Sequence, residues 1–162
     1  MKNFSWNKQF FSNTYTITEN GKQVGHIKGN NLFSLSSDAK LFGKEYTFVS
    51  QSWHNQNTEI FKAGQSEKIA KIYFNSSRSK AKVIYNDDVY KLKFLDIWQT
   101  SWQISKNNKC VIKSKKSSLS SGKAEIDSEH SELLLIALYA SNYFYTIGFL
   151  LVIIVIILII SN

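Results

Sequence analysis

Apolar and polar residues alternate with a period of two almost from the start of the chain, in short runs separated by turn residues. In Thr14-Tyr15-Thr16-Ile17-Thr18 the apolar side chains share one face and the threonines the other. Asn20-Gly21 follows, a pair that accepts the positive φ angles of a type I′ hairpin turn. A second strand is expected near Val24 to Lys28. Asp38 to Leu41 and Glu45 to Phe48 then alternate on either side of Gly43. Four more strands are predicted at Thr58 to Phe61, Ile69 to Phe74, Lys80 to Tyr85 and Val89 to Phe94. A third pass runs from Trp102 through the Asn107-Asn108 turn and Cys110 to Ile126. Each run suits a strand with one buried and one wetted face.

These runs repeat. Ile17, Ile60 and Ile104 are 43 and 44 residues apart, Ala39, Ala81 and Ala124 are 42 and 43 apart, Tyr46 and Tyr90 are 44 apart, and Trp53 and Trp98 are 45 apart. Four sets in one register give a threefold repeat of about 43 residues with four strands per unit, the third unit stopping after three. Three units are too few for a propeller, which needs about four to eight blades. Closure into a barrel is the other way to remove sheet edges, with the segment from Phe4 to Phe11 as a twelfth strand beside the third unit. The fold class expected is therefore mainly β: a closed antiparallel barrel of about twelve strands. Such a barrel leaves a lumen that its own side chains do not fill.

The pattern changes at Leu133. From there to Ile160 run twenty-eight residues without a formal charge, long enough as a helix (about 42 Å) to exceed the roughly 30 Å hydrocarbon core of a bilayer. A barrel of seven-residue strands is about 20–25 Å tall and takes only part of that length. The expected division is a barrel over residues 1–145, with a central helix from about residue 128 capped by Asp127 or Ser128, and an apolar extension over 146–162 that acts as a membrane anchor. Glu129 and Glu132 are expected in the first turn, where the helix dipole favours acids. Tyr143, Phe144 and Tyr145 stand at the junction, either as aromatic membrane-interface residues or packed against the barrel mouth. Ser141 and Asn142 fall within the plugging part and need partners there.

Charge adds a direction to this picture. Residues 1–124 hold all 20 Lys and Arg against eight Asp and Glu, and the remaining four acids gather between Glu125 and Glu132. A basic body favours anionic partners. Arg78 is the one arginine, whereas bidentate readout of bases leans on arginine and stacking on an aromatic motif that is absent here, which argues against nucleic acid. The local cluster Lys106, Lys109, Lys113, Lys115 and Lys116 is the candidate for anionic lipid headgroups.

No motif points to catalysis. His26, His54 and His130 lack ligand spacing, Asp87, Asp88 and Asp96 match no calcium loop, and the serines from Ser117 to Ser121 carry no nucleophile or phosphate-loop pattern. The expectation is no enzyme, no metal, no cofactor and no small-molecule substrate. Cys110 is the single cysteine; beside Val111 and Ile112 it is expected to be a buried, inert thiol in a reducing compartment.

The Asn20-Gly21 hairpin, Lys44-Glu45-Tyr46-Thr47-Phe48 after a glycine, Ser79 to Val83 followed by Val89 to Leu92, and Gly122 to Asp127 running into an apolar helix resemble, in order and spacing, the tubby C-terminal-like superfamily. That group includes plant LURP-one-related proteins, phospholipid scramblases and uncharacterised small bacterial proteins. The resemblance covers nearly the whole chain and implies a twelve-strand barrel around a C-terminal helix, without catalytic residues and close to lipid. None of that group's lipid-binding motifs transfers residue by residue. The function expected is a non-enzymatic, single-pass, C-terminally anchored barrel on the cytoplasmic side of a membrane, binding anionic lipid or a protein partner. The alternatives are a soluble basic barrel that binds nucleic acid and a scramblase-like lipid-handling protein.

Overall fold

The computed structural model describes residues 1–9, 13–29, 36–50, 57–76, 79–127 and 129–161. Trp53, His54, Arg78 and Ser128 lie outside them. The first repeat unit consists of β2 (Thr14–Glu19), β3 (Lys22–Gly29), β4 (Ser37–Leu41) and β5 (Lys44–Val49). The second consists of β6 (Asn57–Lys62), β7 (Lys68–Phe74), β8 (Lys80–Tyr85) and β9 (Asp88–Phe94). The third supplies β10 (Ser101–Lys106), β11 (Lys109–Lys116) and β12 (Ser121–Ile126), and its fourth place is taken by β1 (Lys2–Gln9). Every neighbouring pair is antiparallel, and β1 closes the barrel by pairing with β12 on one side and β2 on the other. The fold is a closed twelve-strand antiparallel barrel with one long C-terminal helix, α1 (Glu132–Ile160).

The repeat shows in three dimensions. Ile17, Ile60 and Ile104 are all buried, and each marks the same irregularity: the register shifts by one between that isoleucine and the next residue. The extra residue on the partner strand is Val24, Ile69 and Val111 in turn, and each packs partly buried against the core. A bulge bends and twists its strand, so three at equivalent places curve the sheet toward closure. The third also decides the fate of Cys110. The shift pairs Cys110 with Ser105 and leaves its thiol exposed, contrary to the buried thiol expected from alternation alone.

Because hairpins alternate, the barrel has two distinct mouths. The proximal one carries Lys2, the tight turns at Asn20-Gly21, Phe42-Gly43, Asn86-Asp87 and Asn107-Asn108, all with positive φ, and the start of α1. The helix begins at Glu132, later than the expected residue 128. Asp127 is still held to the wall by its amide, which donates to Val111 O at 2.8 Å. Inside, Leu133 to Ala140 are buried without a break, as a helix walled on all sides requires. Ala39, Ala81 and Ala124 face it, small side chains that leave room for its bulk. Phe48 stacks on Tyr139 and Phe74 on Tyr143, with ring centroids 4.5 and 3.8 Å apart. Thr146 is the last buried residue of α1, which leaves by the distal mouth and runs exposed from Ile154 to Ile160.

Candidate functional site

Strand parity places two cations inside the distal mouth. Phe4 and Trp6 point into the lumen from β1, so Lys8, two residues further, points the same way at the rim. On β11 the inward residues are Ile112 and Ser114, and Lys116 comes next in that series. Lys8 Nζ donates to Asn142 Oδ1 at 2.7 Å and lies 5.0 Å from the centroid of the Tyr145 ring. Lys116 Nζ approaches the same ring at 5.8 Å. Burial, and then the charge of Lys116, push the Lys8 amine down to about 8. Burial lowers the Lys116 amine as well.

Beneath them lies a cavity of about 260 Å³, floored by Trp6, Trp102, Phe94 and Leu138 and lipped by Leu119, Tyr145 and Phe149. Asn13 and Ser141 line it, and Asn13 Nδ2 and Ser141 Oγ are buried without a hydrogen-bond partner among the described residues. The need of Asn142 for a partner is met by Lys8 and, at 3.5 Å, by the Tyr15 hydroxyl.

Two connections among the described residues of this rim present apolar side chains to solvent. The β9–β10 connection presents Ile97 and Trp98, 87% and 80% exposed, and the β11–β12 connection presents Leu119, 86% exposed. Asp96 organises the first loop, accepting hydrogen bonds from the amides and hydroxyls of Thr100 and Ser101. The second is tied by the Ser118 and Ser121 hydroxyls, 2.8 Å apart. Both loops stand on the side from which the apolar half of α1 departs.

The five-lysine cluster does not assemble. Lys106 and Lys109 flank the proximal turn, where they pair with Asp88 and Asp127. Lys113 and Lys115 point outward from the wall, and Lys116 alone of the five reaches the distal mouth. The reason is length: seven steps at about 3.4 Å carry β11 the full height of the barrel, so neighbours in sequence end on opposite rims. The three aromatic residues also divide. Tyr143 and Phe144 are buried with Phe74 and Phe94 inside the mouth, as in the packing alternative, and Tyr145 is exposed between the two lysines. Lys8 was not singled out from the sequence, although parity with Trp6 marks it as an inward lysine. His130 packs edge-on to Tyr85 at 5.4 Å, and no three His, Cys, Asp or Glu among the described residues form a group that could hold a metal.

The same fold occurs in the X-ray structure of a protein from Arabidopsis thaliana, with a TM-score of 0.61 over 86% of this chain and 88% of that one. Identity is 10%, so the likeness is one of fold alone. The sequence matches no protein-family profile and no curated protein. Among the described residues one helix, α1, is long and apolar enough to cross a membrane.

Proposed function

We propose that this chain is a non-enzymatic barrel of the tubby C-terminal-like type, anchored in a membrane by the second half of α1 and engaging anionic lipid with its distal mouth. The observation that carries this reading is the coincidence, on one rim, of three exposed apolar side chains, Ile97, Trp98 and Leu119, with the departure of a charge-free helix. In water such a rim and tail would drive aggregation; at a bilayer both are satisfied. Anionic lipid fits better than a protein partner because Lys8 and Lys116 stand together at this rim and neither is in a salt bridge among the described residues, Asp96 acting on Lys116 only from a distance. Lysines held at this mouth favour the cytoplasmic leaflet, whose surface is the anionic one.

Trp98 gives a direct test. In vesicles whose lipids carry bromine near the headgroup end of the acyl chains, tryptophan emission of the Trp53→Phe chain should be quenched, and adding Trp98→Phe should remove most of that quenching, since Trp6 and Trp102, the two tryptophans left, are buried. Equal quenching in the two proteins would refute mouth-down docking. A full-length chain recovered wholly in the soluble cell fraction would refute the anchor itself.

A further inference from the structure

The cavity at the distal mouth carries more chemistry than an anchored barrel needs. Two ammonium groups from different strands, Lys8 and Lys116, converge on the Tyr145 ring, and no carboxylate is among the residues lining the cavity. Deeper in, the Asn13 amide nitrogen, which packs over Gly29, and the Ser141 hydroxyl are buried without a hydrogen-bond partner among the described residues. Both atoms lie out of reach of the open volume, so the two ammonium groups are the charged groups that a ligand would meet. Burial, and then the second lysine, depress the Lys8 amine, an arrangement that an anion relieves.

Size and lining narrow the ligand. About 260 Å³ is at the small end of ligand clefts, enough for a compact headgroup and the start of a chain, and too small for two acyl chains. The lip is apolar, formed by Leu119 and Phe149, and faces the side on which the exposed helix continues. We propose that this cavity binds the headgroup of one anionic glycerophospholipid, with the phosphate between Lys8 and Lys116 and the acyl chains passing over Leu119 and Phe149 into the bilayer. The inference rests on the anchoring reading, because a barrel held mouth-down meets such a lipid where it already lies.

The full chain, in a neutral detergent, is titrated separately with phosphatidylglycerol, phosphatidylcholine and inorganic phosphate, and bound molecules are counted by native mass spectrometry. One phosphatidylglycerol should bind at least tenfold more tightly than either of the others. Lys8→Gln combined with Lys116→Gln should weaken it tenfold or more, Lys8→Arg with Lys116→Arg should restore it, and Lys106→Gln with Lys109→Gln, at the other mouth, should leave it unchanged. Equal affinity for phosphatidylcholine, equal affinity for inorganic phosphate, or undiminished binding by a folded glutamine pair would each overturn the assignment. If the glutamine pair does not fold, the comparison of the three ligands on the unmodified chain decides alone. A chain that resists carbonate extraction from membranes but lacks this selectivity overturns the cavity assignment and leaves the anchor standing; complete extraction overturns the anchor.

Discussion

At the scale of single residues, Asp96 shows how one carboxylate shapes the distal rim. Its Oδ2 accepts from the Ser101 hydroxyl at 2.6 Å and the Ser101 amide at 2.8 Å, and its Oδ1 accepts from the Thr100 amide at 2.9 Å. These bonds, led by the Ser101 hydroxyl, hold the carboxyl well below the usual carboxylate range. Because the folded group stays ionised where the unfolded one takes up a proton, its stabilising contribution is complete above about pH 4, the unfolded aspartate value, and fades as pH falls further. Asp96→Asn should therefore melt below the parent protein at pH 7, and the gap should narrow toward pH 3. A gap that is constant over that range would refute this account. Gly122 illustrates the opposite case, a residue chosen for what it lacks: a Cβ there would come within 2.5 Å of the Trp6 ring, which covers it. The glycine is visible in the sequence, but that Trp6 lies over it is not, because the contact crosses the closure between β1 and β12.

Among elements, the outer wall carries a cost. Lys80 faces Lys93 and Lys82 faces Lys91 across β8 and β9, and Lys115 faces Lys123 across β11 and β12. Like charges directly opposite on one sheet face repel. Lys93→Glu should replace one repulsion with an attraction and stabilise the barrel by about 0.2–1 kcal/mol at low salt. The gain should shrink near 1 M salt, where the screening length falls to about 3 Å. A denaturant midpoint that does not rise at low salt would count against the pairing register. The strands were legible because a period of two survives in every run, and the tight turns because Asn and Gly stand where φ is positive. The bulges were not, since one extra residue leaves the same composition. Cys110 was therefore assigned to the wrong face.

For the whole molecule, α1 belongs to two environments. Eight large apolar side chains from Leu133 to Phe144 are buried in the lumen. At about 1.5–3 kcal/mol each, their combined contribution is comparable to or larger than the roughly 5–15 kcal/mol net stability of a typical domain. A chain stopped after Thr146 should fold and lose membrane attachment, while one stopped after Asp127 should not fold. Circular dichroism with vesicle flotation checks both, and a cooperative thermal transition in the shorter chain would show that the barrel does not depend on its plug.

By itself the sequence determined the number of strands, their repeat and the side on which most residues face, because alternation is a local property that hydrophobic burial imposes on each run. It also determined that a charge-free helix must be buried or enter lipid. Only the tertiary structure decided what gathers at the mouths. Lys8, Lys116, Leu119 and Tyr145 come from separate strands, a loop and the helix, and they meet because barrel closure sets β1 beside β12 and the helix runs from one rim to the other. The same closure separated Lys106 and Lys109 from Lys116. Distance along the chain could not foresee either outcome, because height on a barrel wall depends on strand direction and stagger, which only pairing fixes.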